Sequence, residues 1–184
     1  GTAKLGADPV VGVDFSGEQI RHARRLRDRY GVDARFVQGD VTALPLPDDR
    51  FGVASSEAAF QMVPDLDRAL AETHRVLHEG GVFVFSVPHP LNEALDAESA
   101  TIEGDYLDPG PREITIDDSY DEVLATYDRS LADLHGALVD AGFDVRRLIE
   151  HQRHAVEENE PGDTDLPEVL WRVPQSLRFW AIAK

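Results

Sequence analysis

The chain has no cysteine. That excludes disulfides and thiolate metal sites and fits a reducing cytoplasm, the compartment expected here. It also has no run approaching the ~18 apolar residues that cross a membrane, and its start does not read as a signal peptide. Positive charge is scarce: 18 Lys and Arg face 35 Asp and Glu, a formal net charge of −17. Such a surface repels phosphate backbones, so nucleic acid is not an expected partner, nor is a membrane. Lysine is scarcer still, with only Lys4 and Lys184. Arginine in place of lysine, with abundant aspartate, fits either a GC-rich genome or a salt-adapted surface.

What is present suffices for one domain. The 184 residues, 42% of them hydrophobic, can bury a core. "PVVGVD", 9–14, reads as a short buried strand. Ser16 and Gln19 read as a capping box opening a helix with an apolar stripe at Ile20, Ala23, Leu26 and Tyr30, stopped by Gly31. Strands follow at 34–40 and 51–56, separated by a proline-broken loop at 41–50. A helix is predicted from Asp65, with Leu66, Leu70, Thr73 and Leu77 on one face and Gly80-Gly81 as its stop. Strand 81–88 comes next. Residues 89–129 lack a clean period apart from "REITI". A helix with Leu131, Leu134 and Leu138 on one face, stopped by Gly142, leads to strands at 144–151 and 176–184.

Alternating strands and helices predict an α/β fold, a mostly parallel sheet with helices on both faces. The last two strands, joined without a helical pattern, are expected to pair antiparallel. The whole of 1–184 reads as a single domain, with 89–129 and 152–176 as lid or substrate-side segments.

Ligands of open parallel sheets sit beyond the carboxyl ends of the strands, which here carry Asp14, Asp40, Ser56 and His89. Asp14 can accept both vicinal hydroxyls of a ribose, or it can cap the following helix. Asp40 can accept from an exocyclic amine while the Val41 N–H donates to a ring nitrogen, or it can start an Asx turn. Two acids at adjacent strand ends together favour a nucleoside ligand.

"VVGVDFSGEQIRHARR", the long stretch "ARFVQGDVTALPLPDDRFGVASS" through "RVLHEGGVFVFSVPHP", and "GALVDAGFDVRRLIE" resemble the class I S-adenosylmethionine-dependent methyltransferases of the small-molecule type. They resemble in particular the ubiquinone and biotin pathway group. The likeness covers about 3–90 and 126–151. It implies a Rossmann-like fold, S-adenosylmethionine as cofactor and a small-molecule substrate. It also implies that Asp14 binds the ribose, Phe15 packs beside the adenine, Asp40 and Val41 read the adenine edge, and Ser56 lies near the methionine part. The family's first strand and G-x-G-x-G loop are lacking. Gly1-Thr2 reads as the tail of that loop, with Gly1 a cofactor contact. The expectation is that residues of the protein are missing from this sequence, at its start or within 89–129.

Methyl transfer from a sulfonium is an in-line displacement in which alignment supplies most of the catalysis. An oxygen or nitrogen acceptor can also need a base. His89, just past the fourth strand, is the candidate base, or else a loop histidine fixed between two prolines. Phe60, Gln61, Tyr106 and Trp171 are the candidate substrate contacts; Trp171 serves equally as packing, and Trp180 reads as core. Two other functions compete. One is a nicotinamide-dependent oxidoreductase, against which no tyrosine has a lysine four residues later. The other is a catalytically silent nucleoside-binding partner subunit.

Overall fold

The computed structural model describes residues 2–96, 98–102, 105–108, 110–115, 123–152 and 167–184. Strand β1 (Val11–Asp14) runs parallel to β2 (Arg35–Gln38), with Asp14 opposite Gln38. Helix α1 (Gly17–Tyr30) makes the crossover. Ser16 caps it by accepting the Gln19 N–H at 3.3 Å, and Gly31 ends it in the left-handed region at φ 59°. The reciprocal bond of a capping box is made elsewhere, at Ser130 and Asp133.

Two expectations for this region are corrected. β1 is half-buried rather than fully buried, because among the described residues it pairs with β2 only. The stripe of α1 is also less covered than its spacing implies. Ile20 is buried, but Leu26 and Tyr30 are 39% and 57% exposed, since a two-stranded sheet offers a helix little surface.

The chain continues through β3 (Phe51–Glu57), α2 (Leu66–Val76), β4 (Leu77–Pro88) and α3 (Pro90–Glu93). Two small antiparallel pairs follow: β5 (Leu95–Asp96) with β6 (Thr101–Ile102), and β7 (Pro111–Thr115) with β8 (Val123–Tyr127). Then come α4 (Leu131–Asp140), β9 (Phe143–Gln152) and β10 (Pro174–Ala183). The main sheet has the order β3-β4-β10-β9. β3 and β4 are parallel, and β10 is antiparallel to both of its neighbours, as the missing helical pattern before it predicts.

The core lies on one face of this sheet. Phe83, Phe85, Phe143, Leu177 and Phe179 pack there with Leu70 of α2 and Leu138 of α4, all at most 1% exposed. Phe85 stacks on Phe83 and on Phe179, at ring separations of 5.2 and 5.1 Å. Trp180 is not core. It sits in β10 as expected, but strand alternation sends Phe179 and Ala181 inward and turns Trp180 to the other face, where it is 44% exposed.

Helix α2 also ends sooner than Gly80-Gly81 would dictate. Val76 is its last residue, and Leu77 leaves it extended to pair with Phe51 of β3. Burial decides this: Leu77, 2% exposed, reaches the core from the strand. The glycines instead make the turn inside β4, where Gly80 has φ 79° and a Cβ on Gly81 would lie 2.8 Å from the His78 carbonyl oxygen. Arg75, at the end of α2, pins the proline-broken loop. Its guanidinium donates to the Leu44 and Leu46 carbonyls and to Asp48 and Glu72, while Glu72 accepts the Leu44 N–H at 2.8 Å. No described helix is long and apolar enough to cross a membrane.

Candidate active site

Two neighbourhoods collect the predicted site residues. The first is at the carboxyl ends of β1 and β2. The Gly39 N–H donates to the Asp14 carbonyl at 3.0 Å and ties the two strand ends together. A Cβ on Gly39 would lie 2.8 Å from Pro45 Cδ, so only glycine permits this closeness. Asp14 Oδ1 accepts the Ser16 N–H at 2.8 Å. Asp40 Oδ1 accepts the N–H and the hydroxyl of Thr42, each at 2.8 Å. These bonds, the backbone one foremost, hold the Asp40 carboxyl below the usual carboxylate range. The turn weighed for Asp40 is thus made by one of its oxygens, whereas Asp14 does not cap α1, which Ser16 does; one Asp14 oxygen makes a turn onto Ser16 instead. The second oxygen of each has no donor among the described residues.

Phe15 lies beside them. Gln38 fixes its backbone by donating to its carbonyl at 2.9 Å. Its ring is 73% exposed. Val41 opens a 3-10 turn (Val41–Ala43), a position whose N–H the turn itself leaves without an acceptor. Ser56 is half-buried near the end of β3, opposite Phe85. Gly1 lies outside the described residues.

This donor and acceptor set fits an adenosyl group: two carboxylates, one ending β1 and one just past β2, each with a spare oxygen, and an uncovered aromatic ring beside them.

The second neighbourhood is a cleft of about 70 Å³, partly open to solvent, beyond β4. Phe60 and Gln61 form one wall, and Val87, Pro88, Pro90 and Glu93 continue it. Thr126 to Arg129 and Leu134 close the other side. Gln61 hangs from an unusual backbone. Ala58, just after β3, has φ 50°, and its carbonyl accepts from Gln61 Nε2 at 2.9 Å. A left-handed alanine costs energy and is held by its surroundings; here the Ala58 N–H donates to the Ser86 carbonyl at 3.0 Å.

The charged residues in and beside this cleft are not among the candidates named from the sequence. Arg112 of β7 pairs with Glu93 of α3, and its Nε lies 3.1 Å from Asp128 Oδ2. Burial pushes the Asp128 carboxyl up, against the pull of Arg112. Arg129 donates to the Val63, Pro64 and Tyr127 carbonyls, and burial draws its guanidinium down. These groups meet from three separate segments, so no local pattern announces them.

Three other candidates fall outside the cleft wall. His89 is the N-cap of α3 and is 4% exposed. Its Nδ1 accepts the Leu91 N–H at 3.1 Å, so the ring proton sits on Nε2, which donates to Glu150 at 2.9 Å. Both nitrogens are engaged, and a substrate proton could reach neither without breaking one contact. The Tyr106 hydroxyl oxygen accepts the Leu131 N–H at 3.3 Å and so pins its turn to the start of α4. Trp171 ends a 3-10 turn (Glu168–Trp171), with its indole Nε1 buried and unbonded among the described residues.

Comparison with known proteins agrees with this geometry. Residues 2–85 match the family described as "Methyltransferase domain". A demethylmenaquinone methyltransferase of Thermus thermophilus is 38% identical over 82 residues, 44% of this chain and 37% of the relative. A ubiquinone/menaquinone biosynthesis C-methyltransferase of Vibrio parahaemolyticus is 35% identical over 147 residues, 73% of this chain and 54% of the relative. The chain thus spans about half or less of the length of these relatives. A solved S-adenosylmethionine-dependent methyltransferase from Mesorhizobium loti superimposes with a TM-score of 0.74 at 28% identity, covering 97% of this chain and 82% of that one.

Proposed function

We propose, from this chain's membership of the class I S-adenosylmethionine-dependent methyltransferases, that it moves a methyl group from S-adenosylmethionine to a small molecule. The observation that carries the reading is the pair Asp14 and Asp40. Asp14 ends β1 and Asp40 lies two residues past the parallel strand β2, and each keeps one carboxylate oxygen clear of its own turn.

The bound cofactor would supply an electrophilic methyl group on a sulfonium. The free Asp14 oxygen would take the ribose hydroxyls, and the exposed Phe15 ring would cover one side of the adenine. Asp40 would accept from the adenine amine while the Val41 N–H donates to the ring, and Ser56 would lie toward the methionine end. Phe60 and Gln61 would hold the methyl acceptor in the cleft. Tyr106, bonded to α4, would steady one border of that region, and Trp171 would pack behind it. Alignment and exclusion of water are the main contributions such a site makes, on the order of 7–11 kcal/mol at best.

Two observations support a quinol-like acceptor. One relative is named a demethylmenaquinone methyltransferase and the other is named for ubiquinone/menaquinone biosynthesis, and a cleft lined by Phe60, Val87, Pro88 and Tyr127 suits a flat apolar ring.

His89 would act by fixing the turn that presents Pro90 and Glu93 to the cleft. Calorimetry with S-adenosylmethionine and with NAD tests the proposal. Heat with the former alone supports it. Heat with NAD alone would establish the oxidoreductase instead, and cofactor binding without transfer to any acceptor would favour the silent partner subunit.

A further inference from the structure

Gln61 and Asp128 face the same cleft with unused acceptor capacity. Gln61 Nε2 donates to the Ala58 carbonyl, which fixes the amide's orientation, and leaves Oε1 buried with no donor among the described residues. Buried polar atoms in native proteins almost always find a partner, and an orphan at a cleft wall points to a ligand's donor.

Asp128 adds a second acceptor. Its side chain is 16% exposed, and Arg112 approaches only one of its two oxygens, Oδ2, at 3.1 Å. The Arg112 Nε–H is buried and has no aligned hydrogen-bond acceptor among the described residues, although Asp128 Oδ2 is 3.1 Å away. The same guanidinium is engaged by Glu93 from α3. The groups acting on Asp128 are Arg112 from β7, Glu93 from α3 and the adjacent Arg129. Burial and Glu93 push its carboxyl up, and the two arginines oppose them. A carboxylate desolvated in this way is a better base than an exposed one.

We propose that the cleft takes a methyl acceptor bearing a hydroxyl or amino group, recognised by Gln61 Oε1 and deprotonated by Asp128. This rests on the methyltransferase reading. An amine attacks with its own lone pair and loses its N–H proton to Asp128 after the bond has formed; from a hydroxyl, the O–H proton first passes to the Asp128 carboxylate and then to solvent. The electron pair it leaves forms the bond to the methyl carbon, directly or through a conjugated ring carbon. In the latter case that carbon afterwards gives up its own proton and the hydroxyl is restored. The sulfur–carbon bond breaks, and the sulfur keeps the pair. An acceptor without a donor leaves Gln61 Oε1 unpaired and is rejected.

The test uses the full chain, with 1,4-naphthoquinol under anaerobic conditions and 1,4-dimethoxynaphthalene as its donor-free counterpart. The quinol is expected to bind at least tenfold tighter. Gln61→Met should abolish that preference without changing affinity for the dimethoxy compound. Asp128→Asn should lower kcat about 100-fold, with KM within twofold and no loss of thermal midpoint. Equal affinity for the two probes overturns the donor site, and an Asp128→Asn enzyme with wild-type turnover overturns the base. If S-adenosylmethionine gives no heat, the methyltransferase reading fails and the base role with it. The binding preference then decides the donor site by itself.

Discussion

His89 and Glu150, 61 residues apart, meet at 2.9 Å and join the turn after β4 to the edge strand β9. The same imidazole caps α3 through its other nitrogen. Replacing it should therefore be felt as stability. We expect His89→Ala to lose about 2 kcal/mol, from a cap and a charge-assisted hydrogen bond. Asn at this position should regain about half of it, as a competent cap. Urea unfolding gives the first number and steady-state turnover the contrast. A large fall in kcat with unchanged unfolding would instead return His89 to the role of base.

Asp14→Ala should weaken S-adenosylmethionine binding at least tenfold, about 1.4 kcal/mol. The lost group is a carboxylate able to accept two hydroxyls at once. The loss of the Ser16 N–H contact complicates this variant, so Asp14→Asn is its companion. It keeps a turn acceptor but lacks the charge. Calorimetry on both checks the role, and an unchanged dissociation constant for the pair refutes it.

Ala58→Gly should raise stability by up to about 1 kcal/mol, because glycine adopts φ 50° without the penalty a Cβ brings. The gain is reduced by the larger entropy of the unfolded chain. Equilibrium unfolding measures the balance. A destabilised glycine variant would show that the left-handed turn carries no strain.

The Glu72 carboxyl is held below the usual range, first by its hydrogen bond from Arg75 and further by the Leu44 N–H. A carboxyl lowered on folding contributes stability above its unfolded value of about 4.3. That contribution is lost as pH falls through the folded value. Glu72→Gln should therefore flatten the acid limb of the stability curve below about pH 4.3 while lowering stability at pH 7. Urea midpoints from pH 3 to 7 test this. Parallel curves for the two proteins would show that the pair does not contribute.

How much was legible follows the range of the interactions. Ser16, Gly31, Asp14 and Asp40 act within two to four residues of themselves, and their roles in caps and turns could be read from the string. The antiparallel β10 was legible because no helical pattern precedes it. The end of α2 was not. Leu77 fits the helical face by spacing, but burial against Phe51 and the core outweighs spacing. The same competition turned Trp180 outward. Arg112, Glu93 and Asp128 were invisible for a simpler reason: they come together from α3, β7 and the end of β8, and nothing local couples them.

β10 lies between β4 and β9, and its antiparallel pairing makes the last described strand the middle of the main sheet. Synthesis proceeds from the N-terminus, so β4 and β9 leave the ribosome with their facing edges unpaired. Phe85 cannot stack on Phe179 until residue 183 and its neighbours are free of the exit tunnel. Until then the nascent chain presents open edges and an aromatic face that favour association with other chains. Chaperone dependence and sensitivity to premature stops should therefore concentrate in the last dozen described residues.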